Sequence, residues 1–252
     1  MSREQLYLMI GNSRLHWAWY DNGASGQFWH TPHLTQGSWS EALARKYLPI
    51  EIQHYLRARY SLWIASVVPE QTQVWQDYPL SKMITLTQIP LRGLYAGMGV
   101  DRALASLGAG QQFGFPCLVI DAGTALTLTA FDPQQHFWGG AILPGIQLQF
   151  RMLSQKTSAL PLVETGHSLP QRWAKSTSTA IASGIFYTLL AGIRDYMENW
   201  LTLFTDGTVT ITGGDADLLI QYFAAQYPEL SPRLICDRNI IFSGMRAVID
   251  NK

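Results

Sequence analysis

Two short glycine turns carry the residues best suited to hold an anion. Gly11-Asn12-Ser13 follows the alternating run Leu6, Leu8, Ile10, and Asp121-Ala122-Gly123-Thr124 follows Leu118-Val119-Ile120. At such a turn, backbone N–H groups not used by a sheet can point at a phosphate, and a missing Cβ lets that phosphate reach the main chain. The second turn adds a carboxylate at its strand end, suited to a cation, and the Thr124 hydroxyl, suited to a phosphate oxygen. Two such tips facing each other would clamp a polyphosphate. Each alone is also an ordinary turn, with Asp121 as a local backbone acceptor.

A third motif, Gly99-Val100-Asp101-Arg102, sets a carboxylate beside a guanidinium where a loop becomes a helix. Asp101 accepting a proton from a substrate hydroxyl, with Arg102 pairing a substrate carboxylate, is one reading; a helix N-cap followed by a solvated arginine is the other. Gly139-Gly140-Ala141-Ile142-Leu143-Pro144-Gly145 and Thr212-Gly213-Gly214-Asp215 place glycines between strand and helix. Such loops line nucleotide clefts in α/β folds, and they also punctuate strand-to-helix connections of every kind. His30 and His33 have no Cys, Glu or third His nearby and read as surface-loop histidines. The chain contains no Gly-x4-Gly-Lys-Ser/Thr loop and no Gly-x-Ser-x-Gly elbow, which leaves P-loop kinase and serine hydrolase chemistry without an anchor.

These residues need strands to carry them. Leu6, Leu8 and Ile10 alternate, as do Leu15, Trp17 and Trp19 before Asp21-Asn22-Gly23, which predicts an amino-terminal β-hairpin. A polar stretch over Thr35 to Ser38 leads into a helical pattern through Ala42, Leu43 and Tyr47, broken at Pro49 and resuming toward Leu56. Ser61 to Val68 predicts a strand closed by Pro69, Met83 to Leu86 a weak strand, and Asp101 to Leu107 a helix opened by Asp101. Gly108, Gly110, Gly114 and Pro116 mark the end of the first half. The hairpin pattern then recurs: Leu118 to Ile120, the glycine turn, and Leu126, Leu128, Ala130 before Asp132-Pro133. Gly11 and Gly123 lie 112 positions apart, so two related lobes are expected, residues 1–113 and 114–252. The second continues with a strand over Phe137 to Leu143, a helix after Pro144-Gly145, an irregular stretch from Thr157 to Pro170 and a long helix from Thr177 to Leu201. Strands at Thr208 to Ile211 and Leu234 to Cys236 then alternate with helices over Ala216 to Ala225 and Ile240 to Ile249.

Composition narrows the functional classes. Eighteen Lys and Arg balance eighteen Asp and Glu, and charged residues make up only 14% of the 252, so no broad field exists to hold nucleic acid or an acidic membrane surface. An apolar fraction of 47% argues for a folded core, while no apolar run approaches the length of a bilayer span. The cysteines, Cys117 and Cys236, fit a reducing compartment, and residues 1–5 lack the apolar core of an export signal; a cytoplasmic location is expected.

Taken in order, the first tip, Gly99 to Arg102, Asp121 to Thr124, Gly139-Gly140 with Pro144-Gly145, and Thr212 to Asp215 resemble the motifs of type III pantothenate kinases, over essentially the whole chain. The resemblance implies an α/β fold of two ribonuclease-H-like lobes, mixed sheets with flanking helices, within the actin-like and sugar-kinase superfamily. It implies a homodimer that transfers the ATP γ-phosphate to the primary hydroxyl of pantothenate, the first step of coenzyme A biosynthesis, with Mg²⁺ and a monovalent cation, K⁺ or NH₄⁺. Residue by residue, it implies Asp101 as the general base and Tyr95, Gly99, Val100, Arg102 and Thr177 as pantothenate contacts. Ile10, Gly11, Asn12, Ser13, Arg14 and Thr124 become ATP contacts and Asp121 a monovalent-cation ligand. Before Thr177 the family has Asn where this chain has Ser176. At the first tip the family pattern is Asp-x-Gly-Asn-Thr/Ser, and here Met9 stands in the acidic position. A thioether is a soft, weak acceptor that holds no metal–water shell, so a second reading stands beside the first: a weak or inactive relative acting as a ligand-binding or transcription accessory protein. A sugar or acyl kinase of the same superfamily is a third, less suited to the Gly99 to Arg102 pocket.

Overall fold

The computed structural model describes residues 5–20, 26–34, 39–57, 60–164, 166 and 168–250. The expected turn at Asp21-Asn22-Gly23, the stretch Thr35 to Ser38 and the first four residues lie outside them. The chain divides into two compact units, residues 1–108 with 241–252, and residues 109–240. The sequence division at 113/114 differs most at the carboxyl end, because the last helix packs with the first unit.

In the first unit, β1 (Gln5–Ile10) and β2 (Leu15–Tyr20) form the expected hairpin, with Leu6 opposite Trp19, Leu8 opposite Trp17 and Ile10 opposite Leu15. Their alternation sends these six side chains to one face. There they bury against Ala44 of α1 (Glu41–Tyr47), Ile52 and Leu56 of α2 (Ile50–Arg57), and Val74 and Trp75 of α3 (Pro69–Gln76). Strands β3 (Gly26–Thr31), β4 (Leu62–Ser66) and β5 (Ser81–Met83) complete a sheet of order β3-β2-β1-β4-β5, the first three strands antiparallel and β4 and β5 parallel to β1. Two elements escape the sequence pattern. β3 is an edge strand with a weak burial alternation, and Pro69 not only closes β4 but supplies the first turn of α3, where its missing N–H costs nothing.

Helix α4 (Val100–Phe113) runs six residues beyond the expected end, straight through Gly108 and Gly110. Gly110 is a packing glycine rather than a stop, since a Cβ there would run into the Phe115 ring. Helix α8 (Ile240–Asp250) lays Gly244 against the Leu104 backbone, closer than any Cβ allows, and sets Arg246 4.4 Å over the Tyr20 ring.

The second unit repeats the plan. Its strands are β6 (Cys117–Ala122), β7 (Ala125–Phe131), β8 (Phe137–Pro144), β9 (Thr208–Thr212) and β10 (Leu234–Cys236), in the order β10-β9-β6-β7-β8. β6, β7 and β8 are antiparallel, while β9 runs parallel to β6 and β10 to β9. The central-hairpin order with two added parallel strands is thus written twice, the ribonuclease-H-like arrangement. Helices α5 (Ile146–Lys156), α6 (Thr177–Leu203) and α7 (Ala216–Gln226) cover the sheet. α6 buries Ile181, Ile185, Leu189, Ile193 and Met197 at four-residue spacing, one face of a 3.6-residue helix. Among the described residues, no helix is long and apolar enough to cross a membrane.

Candidate functional site

The first tip is tied down on three sides. Gly11 N–H donates to the Arg14 carbonyl at 3.1 Å, Val67 N–H to the Ile10 carbonyl at 3.1 Å, and the His33 imidazole pairs through Nε2 with the Gly11 carbonyl at 2.8 Å. Asn12, Ser13 and Arg14 are exposed. A Cβ on Gly11 would find nothing nearer than His16 Nε2 at 3.4 Å, so the protein's own packing does not demand glycine there. The small residue leaves an open approach to the backbone, the property a phosphate needs.

The second tip is built alike and held differently. Gly123 N–H donates to the Ala125 carbonyl, and a Cβ on Gly123 would have 3.5 Å to its nearest atom, an oxygen of Asp121. Around it two further glycines form a cradle that no side chain could share. Gly145 donates its N–H to the Thr124 carbonyl at 2.9 Å, and a Cβ on it would collide with the Gly123 carbonyl. Gly213, at φ +94°, rests on Ala122 and the Asp121 carboxylate, and Asp215 N–H donates to the Ala122 carbonyl at 2.9 Å. The three loops of the second half singled out by their glycines therefore converge on one point, apart from Gly139, which serves the β7–β8 edge at φ +153°.

By register, Met9 and Asp121 are equivalent: each stands two residues before its tip glycine and pairs with both the hairpin partner and the neighbouring parallel strand, Met9 with His16 and Ala65, Asp121 with Thr127 and Thr212. Met9 is 3% exposed, as suits a thioether, whereas Asp121 is only partly buried.

Asp101 lies in the first turn of α4, one residue inside the helix rather than capping it, and its carboxylate accepts the Arg102 N–H at 2.8 Å. Gly99 lets that carboxylate fold back, since a Cβ at 99 would overlap Asp101 Oδ1. Burial pushes the Asp101 carboxyl above the usual range, and the Arg102 amide and guanidinium oppose that rise only in part. A carboxylate made more basic is the better acceptor for an alcohol proton. Arg102 is 7% exposed, not solvated, and donates through Nη1 to the Tyr95 hydroxyl at 3.0 Å. Tyr95, Gly99, Val100, Asp101 and Arg102 thus form one cluster. Gly99 also borders Val67, whose amide holds the Ile10 carbonyl, so that cluster adjoins the first tip within the same unit. Thr177 is exposed at the first position of α6, behind Ser176, whose hydroxyl caps the helix by accepting the Thr179 N–H. Ser176 serves there as an N-cap, a role Asn fills equally.

Sequence reasoning missed His16 and read His33 only as a surface-loop histidine. His30 is not in a loop: it sits on β3 opposite His16, the two Nδ1 atoms 3.0 Å apart. Among the described residues no group of three His, Cys, Asp or Glu is arranged to hold a metal ion. The signal available was the run His30-Thr31-Pro32-His33, which means little until β3 folds against the hairpin.

Comparison with known proteins bears on the family and the fold. Residues 5–199 match the family model of type III pantothenate kinase. The type III pantothenate kinase of Nostoc is 47% identical over 99% of this chain and 95% of its own length, and that of Synechocystis 44% identical over 96% and 89%. A solved structure from Campylobacter jejuni, assigned to the Baf family of transcriptional activators, superposes with a TM-score of 0.64 at 21% identity, covering 98% of each chain, which speaks to the fold.

Proposed function

Because the chain belongs to the type III pantothenate kinase family and is an ATP-dependent pantothenate kinase, we propose that Asp101 is the base of that reaction and that the two hairpin tips serve the nucleotide. The observation that carries the assignment of Asp101 is its surroundings: a carboxylate raised in basicity by burial, beside a guanidinium that is itself buried and braced by Tyr95. Arg102 pairs the pantothenate carboxylate, with Tyr95, Gly99 and Val100 beside it, Thr177 is assigned a further pantothenate contact, and the carboxylate of Asp101 takes the proton of the primary hydroxyl. The alcohol oxygen then bonds to the γ-phosphorus as the bond to the β,γ-bridging oxygen breaks, and ADP leaves. Ile10, Gly11, Asn12, Ser13, Arg14 and Thr124 supply amides, hydroxyls and one guanidinium to the ATP phosphates.

Cation chemistry divides between the tips. The oxygen of Asp121 stands in a backbone-lined cradle that a Cβ on Gly213 would fill, a hard-donor setting that fits K⁺ or NH₄⁺. A bound cation would offset the negative charge gathering on the transferring group. Met9, buried and soft, does not fit Mg²⁺, so that ion would be held by the nucleotide's own oxygens and not by the first strand end. We assign the working form as a homodimer, which light scattering on purified protein would check.

The test is a coupled assay for ATP-dependent phosphopantothenate formation with K⁺ and Mg²⁺ present. Turnover that disappears on omission of K⁺ or NH₄⁺ is expected. Tight ligand binding with no turnover under any cation would favour an accessory role, the reading that Met9 raises.

A further inference from the structure

We propose that His33 is a positioning residue of the nucleotide site, holding the first tip in the shape that presents its amides to phosphate; this rests on the assignment of that tip to ATP. At the second tip the Ala122 and Thr124 carbonyls are held by backbone amides, those of Asp215 and Gly145. At the first, the Ile10 carbonyl is held in the same way by Val67, but the Gly11 carbonyl is held by a side chain, His33 Nε2, at 2.8 Å. A trans peptide is planar, with its C=O and N–H antiparallel, so fixing the Gly11 carbonyl also aims the Asn12 N–H away from His33. Gly11 has neither a Cβ nor close packing to set that plane otherwise, which leaves the imidazole in charge of it.

His33 is itself well anchored. The preceding Thr31 accepts a hydrogen bond from Trp17 Nε1 at 3.0 Å, and the following Leu34 is clamped through both its N–H and its carbonyl by Gln71 of α3, at 3.0 and 2.9 Å. Across the tip, His16 lines the Gly11 Cα and is steadied by His30 at 3.0 Å. The backbone segment that carries the imidazole is therefore fixed to the core of the unit, and the imidazole transmits that rigidity to a loop that is otherwise exposed.

Steady-state kinetics on the full chain test this. His33→Ala should raise the KM for ATP about tenfold, the effect of one lost hydrogen bond, and leave the KM for pantothenate within about twofold. His33→Gln, which keeps a donor, should stay within about threefold of the parent for both. Should His33→Ala fail to fold, as judged by its circular dichroism melt, His33→Phe fills the space without a donor and replaces it. Equal damage by His33→Gln and the donorless variants, or equal changes in both KM values, would overturn the proposal. Ser13→Asp separates the two levels of inference, because a carboxylate on that exposed residue repels phosphates. If it raises the ATP KM while His33→Ala does not, the role of His33 falls alone. If it leaves the ATP KM unchanged, the tip does not bind nucleotide and the proposal falls with that reading.

Discussion

The two hairpin tips share a strand order and a glycine with open space, yet the second is one residue shorter and they are stabilised by different means. The second is a backbone construction: carbonyls meet amides, two glycines allow main chains to touch, and the strand ends in a carboxylate. The first ends in a buried thioether and borrows side chains, with His33 on a carbonyl and His16 against the Cα. The two units share the backbone bond that holds the strand-end carbonyl, Ile10 by Val67 and Ala122 by Asp215, while the groups around it differ. The first unit carries its carboxylate on α4 at Asp101, a group distinct from the strand-end acid whose position Met9 occupies, and helix and loop rather than strand position it.

The sharpest break of this comparison is removal of the acid of the first unit. Asp101→Asn should lower kcat by about two to four orders of magnitude, the range for a positioned base, with ATP and pantothenate still bound. The same variant should be slightly more stable than the parent at neutral pH. The folded-state pKa of Asp101 is raised, so the penalty on its charged form is absent below the ordinary carboxylate range and grows as the pH climbs through the folded value. Chemical denaturation of both proteins at acid and neutral pH would check that sign; a variant whose advantage over the parent is no larger at neutral than at acid pH contradicts it.

Histidine is the next difference. Burial, then the charges of His30, Arg14 and His33, pull the His16 pKa from 6.5 to about 4. A depressed folded value means that stability from the neutral ring is full above about pH 6.5 and is lost as the pH falls through about 4, at most about 3 kcal/mol. His16→Gln should flatten that acid limb. No histidine stands in the second hairpin's strands, so amide exchange should report acid loosening in β1 and β2 before β6 and β7.

The glycine cradle predicts the next effect. Gly145→Ala forces the Gly123 carbonyl aside and should cost about 1–3 kcal/mol, read as a fall in melting temperature. For Asp121→Asn, which brings the second strand end closer to the uncharged first, the K⁺ concentration for half-maximal rate should rise about tenfold; an unchanged cation dependence would remove Asp121 from that role. Smallest in stability is Gly11→Ala, within about 0.5 kcal/mol because a Cβ there meets nothing nearer than 3.4 Å, yet with a KM for ATP raised a few-fold. Were Gly11→Ala as destabilising as Gly145→Ala, the two tips would be constrained alike and the contrast would be void.

By itself the sequence determined the duplicated hairpin, because the alternation of Leu6, Leu8, Ile10 with Leu15, Trp17, Trp19, and its counterpart around Gly123, is a local property that period-two geometry translates directly into paired strands. It likewise determined α6, whose four-residue apolar spacing needs no partner to be recognised. Tertiary structure decided what local pattern cannot contain. Gly110 reads as a stop until Phe115 explains it, Pro69 reads as an end until α3 begins there, and β3 exists because β2 offers it an edge. The same holds at the site. The motifs named Asp101, Arg102 and the tips, but the burial of Arg102 and the hold of His33 on Gly11, 22 residues away, are not contained in those motifs. Chemistry was legible where neighbours in sequence supply it, and hidden where burial and long-range hydrogen bonds set the charge and direction of a group.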